Sequence, residues 1–492
     1  MMRHLPVLVV LLPLLSAILI PLLPKPKEYS FGLSIFSLSA MVILAFISFI
    51  NVSVHGMFSY VFGNYAPNIG IEFRIDGLIA FLVLFIVFLA WVITLYSFKS
   101  IQKEIKDFQM KAYYSLVMLM LFSVVGMLYT NDLFNMYVFM EILSITSTAI
   151  ISIQHRKENF LASFRYLMLS SIGSLTILLG LAFLYMVSGQ LNMDAMRLLM
   201  PSIWILYPTN VVLAVGFILS GFAIKSAMFP LHVWLPDAYT YAPNSSSAYL
   251  ASFVGKVYMI SMIKFMFRVI GVDIIASLNI DEFILVMAAS GMILGSVFAI
   301  GQKDIKRLLA YSSVAQVGYV FLGMGLLSEA GLAAAIFHIV SHALMKSALF
   351  LSAGAMIYAT GKRKLSEFDG IGFRMPITMV VFAIAAAGMV GIPGVSGFMS
   401  KIYLGLALIG DRHPIYLSLI LLSSFLNAIY FMPILISAFL KENPERKNEL
   451  KRDDLPVSML VPMVVLAVAM LVVGYFPQTI MNIIEAAIGL YF

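Results

Sequence analysis

Along nearly its whole length the chain repeats one pattern, a run of apolar residues followed by a short polar interruption. A helix crossing a bilayer needs roughly 20 apolar residues, so each run predicts a spanning helix. The runs fall near 5–23, 30–50, 77–98, 112–130, 133–153, 160–187 and 209–229, and again near 245–267, 282–301, 305–327, 331–358, 375–410, 415–440 and 456–476. The count is fourteen. The first run is longer than the core of a signal peptide and leaves through PLLPKPK without a small-x-small cleavage site, which reads as a retained helix. Two runs are interrupted, the seventh by Pro230 and Pro236 and the twelfth by the segment GIPGVSG, because proline removes a backbone donor and clashes with the turn before it. The longest segment between runs, 441–454, carries mixed charge and is too short to fold alone. The expectation is one all-α, polytopic membrane domain over 1–492.

Composition narrows the function. Apolar residues make up 62% of the chain and charged residues 11%, against roughly 45–50% and 25% in soluble domains. Too little polar surface remains to coat a water-soluble particle, which excludes soluble enzymes, nucleic-acid binders and disordered regulators. The formal charge of +7 therefore points to topology and away from a polyanion partner. Cytoplasmic loops accumulate Lys and Arg. Here the odd-numbered loops hold 20 of them, among them Lys103, Arg156, Lys306 and Arg363, and the opposite side holds 5, which are Arg3, Arg74, Arg197, Arg268 and Arg412. That ratio predicts a multi-pass cell-membrane protein with both termini outside the cytoplasm. Cysteine is absent, which excludes disulfides, thiolate metal sites and Cys-ligated iron–sulfur clusters.

An ionisable side chain deep in a span is a functional hypothesis by default, because it is costly there. Glu141 lies in the middle of the fifth span, Lys225 late in the seventh and Lys256 halfway along the eighth. His338, His342 and Lys346 stand at i, i+4 and i+8 in the eleventh, on one face of that helix. Lys401 follows the break in the twelfth. Bland readings exist for some: the two histidines suit ordinary helix–helix hydrogen bonding, Lys346 could reach a cavity wall, and Lys264 and Arg268, at the end of the eighth span, read as side chains snorkelling to the headgroups. Burial disfavours the charged form of lysines and carboxylic acids alike, bringing both toward proton exchange near neutral pH, and an imidazole titrates between about pH 5 and 8. Single titratable groups strung along the chain therefore point to proton movement. A stand-alone transporter of an organic solute is one alternative, but it should cluster small polar and aromatic residues at a helix break. A redox subunit is another, with His338 and His342 as haem or metal ligands, yet HIVSH lacks a neighbouring carboxylate and has no second His pair to match. On this reading the chain is no enzyme, binds no cofactor or metal, and has the lipid bilayer and protons as its partners.

Four segments give the pattern a family. GQKDIKRLLAYSSVAQVGYV (301–320), FPLHVWLPDAYTYAPNSSSAYLA (229–251), HIVSHALMKSALF (338–350) and GIPGVSGFMSK (391–401) resemble the signatures of the antiporter-like proton-channel family. Its members include the large subunits of Mrp-type cation/proton antiporters, the antiporter-like subunits of complex I and their counterparts in membrane-bound hydrogenases. The similarity runs in order from about 70 to 440. It implies fourteen helices: the first three over about 1–98, two inverted five-helix repeats over about 112–267 and 282–440, and a last helix and tail over about 456–492, with helices 7 and 12 discontinuous. It also implies a polar axis parallel to the membrane, in which Glu141 and Lys225 pair, Lys256 is the central lysine, His338 and His342 are intermediate stations and Lys401 is the terminal group. The implied partners are other membrane subunits of an Mrp-type, complex I-like or hydrogenase complex, whose oxidoreductase chemistry would lie elsewhere, and the implied cargo is H⁺ alone or H⁺ exchanged for Na⁺. The chain departs from the pattern at Tyr239, where a histidine is usual after WLPDA, at Gly394, where a second proline is usual, and in lacking a glycine soon after Lys256. Lysine at 401 resembles the Mrp D-type and hydrogenase branch.

Overall fold

A computed structural model describes residues 4–22, 28–65, 70–441 and 455–492. Arg3, Lys25, Lys27 and the connection 442–454, with Arg446, Lys447, Lys451 and Arg452, lie outside the described residues. The chain opens with α1 (Leu5–Leu22) and α2 (Glu28–His55), then a hairpin of β1 (Phe58–Val61) and β2 (Glu72–Ile75), antiparallel with Phe58 opposite Ile75. The helices α3 (Gly77–Gln102), α4 (Gln109–Tyr129), α5 (Leu133–Ser152) and α6 (Lys157–Ser188) follow. Next come a short α7 (Met193–Leu206), α8 (Pro208–Lys225) and α9 (Trp234–Tyr241). The eighth span is one continuous helix, Asn244–Ile270. Within it α10 (Asn244–Tyr249) and α11 (Gly255–Ile263) are separated and followed by π-helical turns at Leu250–Val254 and Lys264–Ile270.

After the small α12 (Val272–Ser277) the chain forms α13 (Ile280–Ile300), α14 (Ile305–Gly325) and α15 (Glu329–Thr360). It closes with α16 (Ile371–Arg374), α17 (Pro376–Val390), α18 (Ser396–Gly410), α19 (Pro414–Leu440), α20 (Val457–Tyr475) and α21 (Pro477–Ile488). Thirteen helices among the described residues are long and apolar enough to cross a membrane. The pair α17 and α18, fifteen residues each, takes up the stretch expected for the twelfth span. Several starts are set by capping. Asp76, Asp132, Asp304 and Ser328 each accept a hydrogen bond from a backbone N–H three residues on, satisfying a donor the helix cannot.

The seventh run ends earlier than the expected 229. Helix α8 stops at Lys225, the next helix begins at Trp234, and Ala227 between them has φ 57°. The amphipathic α7 and α21 and the hairpin have no counterpart among the fourteen runs, since none holds the length of apolar sequence that marks a span.

Burial locates the core. The most apolar stretches of Asn244–Ile270 and α15 are buried along their whole length and that of α14 over 94%, whereas in α2 and α19 only 33% is covered. Two of these three central helices carry Lys256, His338, His342 and Lys346, and the third, α14, packs against α15 in the core.

The loops sort onto two faces. On one, Glu104 accepts from the Asn244 backbone N–H at 3.0 Å, Lys306 donates to the Ala242 carbonyl, and Arg363 pairs with Asp304 at 2.9 Å. All of these belong to odd-numbered loops or their edges. On the other, Asp194 binds Arg74 at 2.5 Å and Arg268 at 2.6 Å, and Glu72 accepts from Asn131 and Asn192 at 2.7 and 2.9 Å. Burial alone would raise the Asp194 carboxyl, but the neighbouring Arg268 and Arg74 outweigh it and hold it below the usual carboxylate range.

Lys264 and Arg268 do not snorkel. Their exposures are 1% and 3%. Lys264 donates to the carbonyls of Leu128 and Thr130 at the end of α4, where a helix leaves its last carbonyls without partners. Arg268 reaches Asp194 and Asn131. Position near a helix end does not tell whether that end faces lipid or protein.

Candidate functional site

Five helices bring the expected ionisable groups into the interior. On α5, Glu141 places a carboxylate oxygen 4.0 Å from Lys225 Nζ at the end of α8. The two differ in setting: the lysine side chain is 1% exposed and the carboxylate 30%. Lys225 Nζ donates to Ser144 Oγ at 2.6 Å and to Ser170 Oγ at 2.8 Å, and lies 5.6 Å from the Tyr258 ring. Ser144 is three residues beyond Glu141 and so shares its helix face. Its hydroxyl also meets Tyr258 Oη at 3.3 Å. Tyr258 stands two residues after Lys256, so this hydroxyl pair links the acidic end of the site to the central helix.

Lys256 is 4% exposed and donates to the Ala251 carbonyl. That carbonyl belongs to the π-helical turn 250–254, whose wider winding alters the i→i−4 bonding of an α-helix; such turns recur at functional positions. Across from it, His338, His342 and Lys346 on α15 are fully buried, and Lys256 is an electrostatic neighbour of all three. Lys346 Nζ is held by the Leu309 carbonyl at 2.8 Å and Ser312 Oγ at 2.6 Å. His338 Nδ1 meets Ser400 Oγ at 2.9 Å, and its ring stacks on Tyr319 with centroids 5.2 Å apart.

Lys401 follows Ser400 on α18. Its Nζ donates to the carbonyls of Met389 and Val390, at 2.8 and 3.0 Å, and to Ser424 Oγ at 2.9 Å. The carbonyls are available because α17 ends at Val390, where the break leaves the last turn without helical donors. Lys401 also lies 5.1 Å from the Tyr319 ring, so that one tyrosine touches both His338 and Lys401. Beside the lysine is a cavity of about 270 Å³, lined by Gly391, Phe398, Leu406, Leu417 and Ser424 among others.

The seven residues make a set in which Glu141 meets Lys225, Lys256 is an electrostatic neighbour of His338, His342 and Lys346, and Tyr319 stands between His338 and Lys401. Only Lys225 among its lysines has a carboxylate within 4.0 Å among the described residues; the others rest on carbonyls and serine hydroxyls. Buried ions carry a desolvation cost that a partner must offset, and for these three lysines the partners that do so are neutral. No three His, Asp or Glu side chains among the described residues gather where they could share a metal. Charge alone overlooked the neutral members: Ser144, Ser170, Tyr258, Ser312, Tyr319, Ser400 and Ser424. A signal for some was present, since Ser312 and Tyr319 sit at i and i+7, on one face of a helix whose most apolar stretch is 94% buried.

A helical membrane domain that holds buried lysines and histidines and one half-buried carboxylate in its interior defines an integral membrane protein with ionisable groups inside its spans. Within that class the chain belongs to the NADH:quinone oxidoreductase/Mrp antiporter transmembrane family, which matches residues 130–427. It is 35% identical to the N-type subunit of the NADH-quinone oxidoreductase of Desulforudis audaxviator, over 99% of both chains. It is 30% identical to the D-type subunit of the Na⁺/H⁺ antiporter of Bacillus subtilis, over 90% of this chain and 88% of that one. Among solved structures it resembles a chain of the membrane-bound sulfane sulfur reductase, an archaeal respiratory membrane complex, with a TM-score of 0.90 and 28% identity over 99% and 98% of the two chains. The fold is shared as well with a chain of the Mrp complex from Dietzia, with a TM-score of 0.88 and 23% identity over 100% and 97%.

Proposed function

We propose that this chain is a proton-translocating, antiporter-like subunit of a multisubunit membrane complex, and that protons move along Glu141, Lys225, Lys256, His342, His338 and Lys401, with Lys346 beside the midpoint. The observation that carries this reading is that five packed helices each bring an ionisable group of the set into the interior. Lys225 connects through Ser144 to Tyr258 on the helix that carries Lys256, Lys256 is an electrostatic neighbour of both histidines, and His338 connects through Tyr319 to Lys401. At about 4 Å and an effective dielectric near 20, Glu141 and Lys225 attract by about 4 kcal/mol. Moving them apart changes where along the line a proton is held, and the histidines offer intermediate positions.

The chain contributes ion movement, and the reaction or gradient that drives it belongs to its partners. Relatives named for a quinone oxidoreductase, a Na⁺/H⁺ antiporter and an archaeal respiratory complex support other membrane subunits as those partners. The break after Lys225 and the one before Lys401 fit two five-helix repeats of opposite orientation over 112–267 and 282–440. The excess of Lys and Arg in the odd loops supports termini outside the cytoplasm.

The test uses the whole complex in sealed vesicles with a pH-sensitive dye. Lys256→Met should lower proton flux about tenfold or more at equal assembly, while wild-type flux from that variant removes the proposal. Repeating the assay with and without Na⁺ separates proton conduction from Na⁺/H⁺ exchange.

A further inference from the structure

Helices α14 and α15 are consecutive and packed antiparallel, and two contacts fix their register. Lys346 Nζ donates to Ser312 Oγ at 2.6 Å, and the Tyr319 ring stacks on His338 at 5.2 Å. Between those contacts, one turn forward from Ser312 along α14 is Gln316, and one turn back from Lys346 along α15 is His342. Residues one turn apart share a helix face, so Gln316 and His342 occupy the same layer.

Both are fully buried. Neither Nε2 nor Oε1 of Gln316 has a hydrogen-bond partner in the protein, and the same is true of both ring nitrogens of His342 and of His338 Nε2. Five orphaned polar atoms in adjoining layers are far from the norm for a protein interior, where buried donors and acceptors are satisfied by protein or by ordered water. The amide and the imidazole do not bond each other directly, and an ordered water usually makes two to four bonds to such groups.

We infer that Gln316 and His342 hold ordered water between them, and that Gln316 is the positioning residue that aims this water so that it joins the Lys256 and Lys346 half of the line to the His338 and Lys401 half. The inference rests on the proton-translocating reading above. A primary amide suits the task because it both donates and accepts and does not itself ionise. It can hold a water whose proton is leaving for His342 and, once that water has taken a proton from a lysine ammonium, hold it in the other orientation. Tyr319 then covers the next layer, where His338 passes the proton toward Ser400 and Lys401.

The experiment uses the assembled complex in sealed vesicles. Gln316→Met keeps the volume and removes the polarity, and it should lower proton flux about tenfold or more. Gln316→His restores a group that binds water and should keep flux within about threefold of wild type. A high-resolution map of the complex should show water within hydrogen-bond distance of both Gln316 and His342. If Gln316→Met conducts normally while Lys256→Met does not, the water site is wrong and the proton-translocating reading stands. If Gln316→His is as inactive as Gln316→Met in fully assembled complexes, the residue serves packing and the inference fails. A map in which the two side chains meet dry also overturns it. Normal flux from Lys256→Met as well would defeat the functional reading and this inference with it.

Discussion

Lys225 Nζ stands 4.0 Å from Glu141 Oε1, yet it directs its hydrogen bonds to Ser144 and Ser170, at 2.6 and 2.8 Å. The lysine is therefore anchored by neutral hydroxyls and biased by a carboxylate it does not bond. Glu141 Oε1 has no hydrogen-bond partner of its own in the protein. A charge pair without a shared hydrogen bond can be loosened by a small rotation of the acid, which the partial exposure of Glu141 permits.

This arrangement makes the pair a unit. Glu141→Gln should lower proton flux of the assembled complex about tenfold or more, and Lys225→Ala similarly. Residues in one network are not additive, so the double variant should be little worse than either single one. Glu141→Asp should retain part of the activity. Leaving one buried charge without its partner is destabilising by about 3–5 kcal/mol, so flux has to be compared at equal amounts of complex. Wild-type pumping by assembled Glu141→Gln would show that the pair is structural.

Gly391 guards Lys401. It has φ +92°, and an added Cβ would lie 3.1 Å from Lys401 Cδ and 3.3 Å from Nζ. A left-handed conformation costs a non-glycine residue about 1–2 kcal/mol, and the side chain would also displace the ammonium from the Met389 and Val390 carbonyls. Gly391→Ala should therefore lower flux several-fold and the thermal midpoint by about 1–2 °C, on the order of what 1–2 kcal/mol produces in a chain of this length. Gly216→Ala, with nothing within 4 Å of its Cβ, is the control and should change neither. Equal behaviour of the two variants would mean that the geometry around the twelfth-span break does not govern Lys401.

Asp194 supplies a pH signature outside the line. Its carboxyl is held below the usual range, burial being outweighed by Arg268 and Arg74. A group with a depressed folded pKa stabilises the fold above its unfolded value, near 3.9, and loses that contribution as pH falls through the folded value. Asp194→Asn should thus melt below the wild type at pH 7, and the gap should close as both are taken below about pH 4. A gap that stays constant over that range would assign the effect to packing.

The C-terminus is tied to the face that carries Asp194. Arg197, in α7 together with Asp194, donates to the carbonyls of Leu490 and Phe492 at 3.0 and 2.8 Å. With the odd loops holding most of the Lys and Arg, that face should point away from the cytoplasm. A reporter fused after Phe492 that is active only outside the cytoplasm is the expected result, and cytoplasmic activity would reverse the orientation.

Much of this protein was decided by its sequence alone. A bilayer selects helices of one length and composition, so the spans could be read from apolar runs, and the observed ends of most fall within a few residues of them. Glu141, Lys225, Lys256, His338, His342, Lys346 and Lys401 stood out for the same reason, since a charge or imidazole in an apolar run is costly wherever it points. The tertiary structure decided what each one faces. Lys264 and Arg268 turned out buried, because α4 and α7, distant in the chain, close over the end of the eighth span. Most of the serines and tyrosines around the lysines were invisible among many similar residues, and Gln316 carries no charge to betray it. Their roles come from how α14 packs on α15 and from the side chains that α5 and α8 bring together, which only the folded arrangement of the helices decides and which leaves no mark on the local pattern of any one of them.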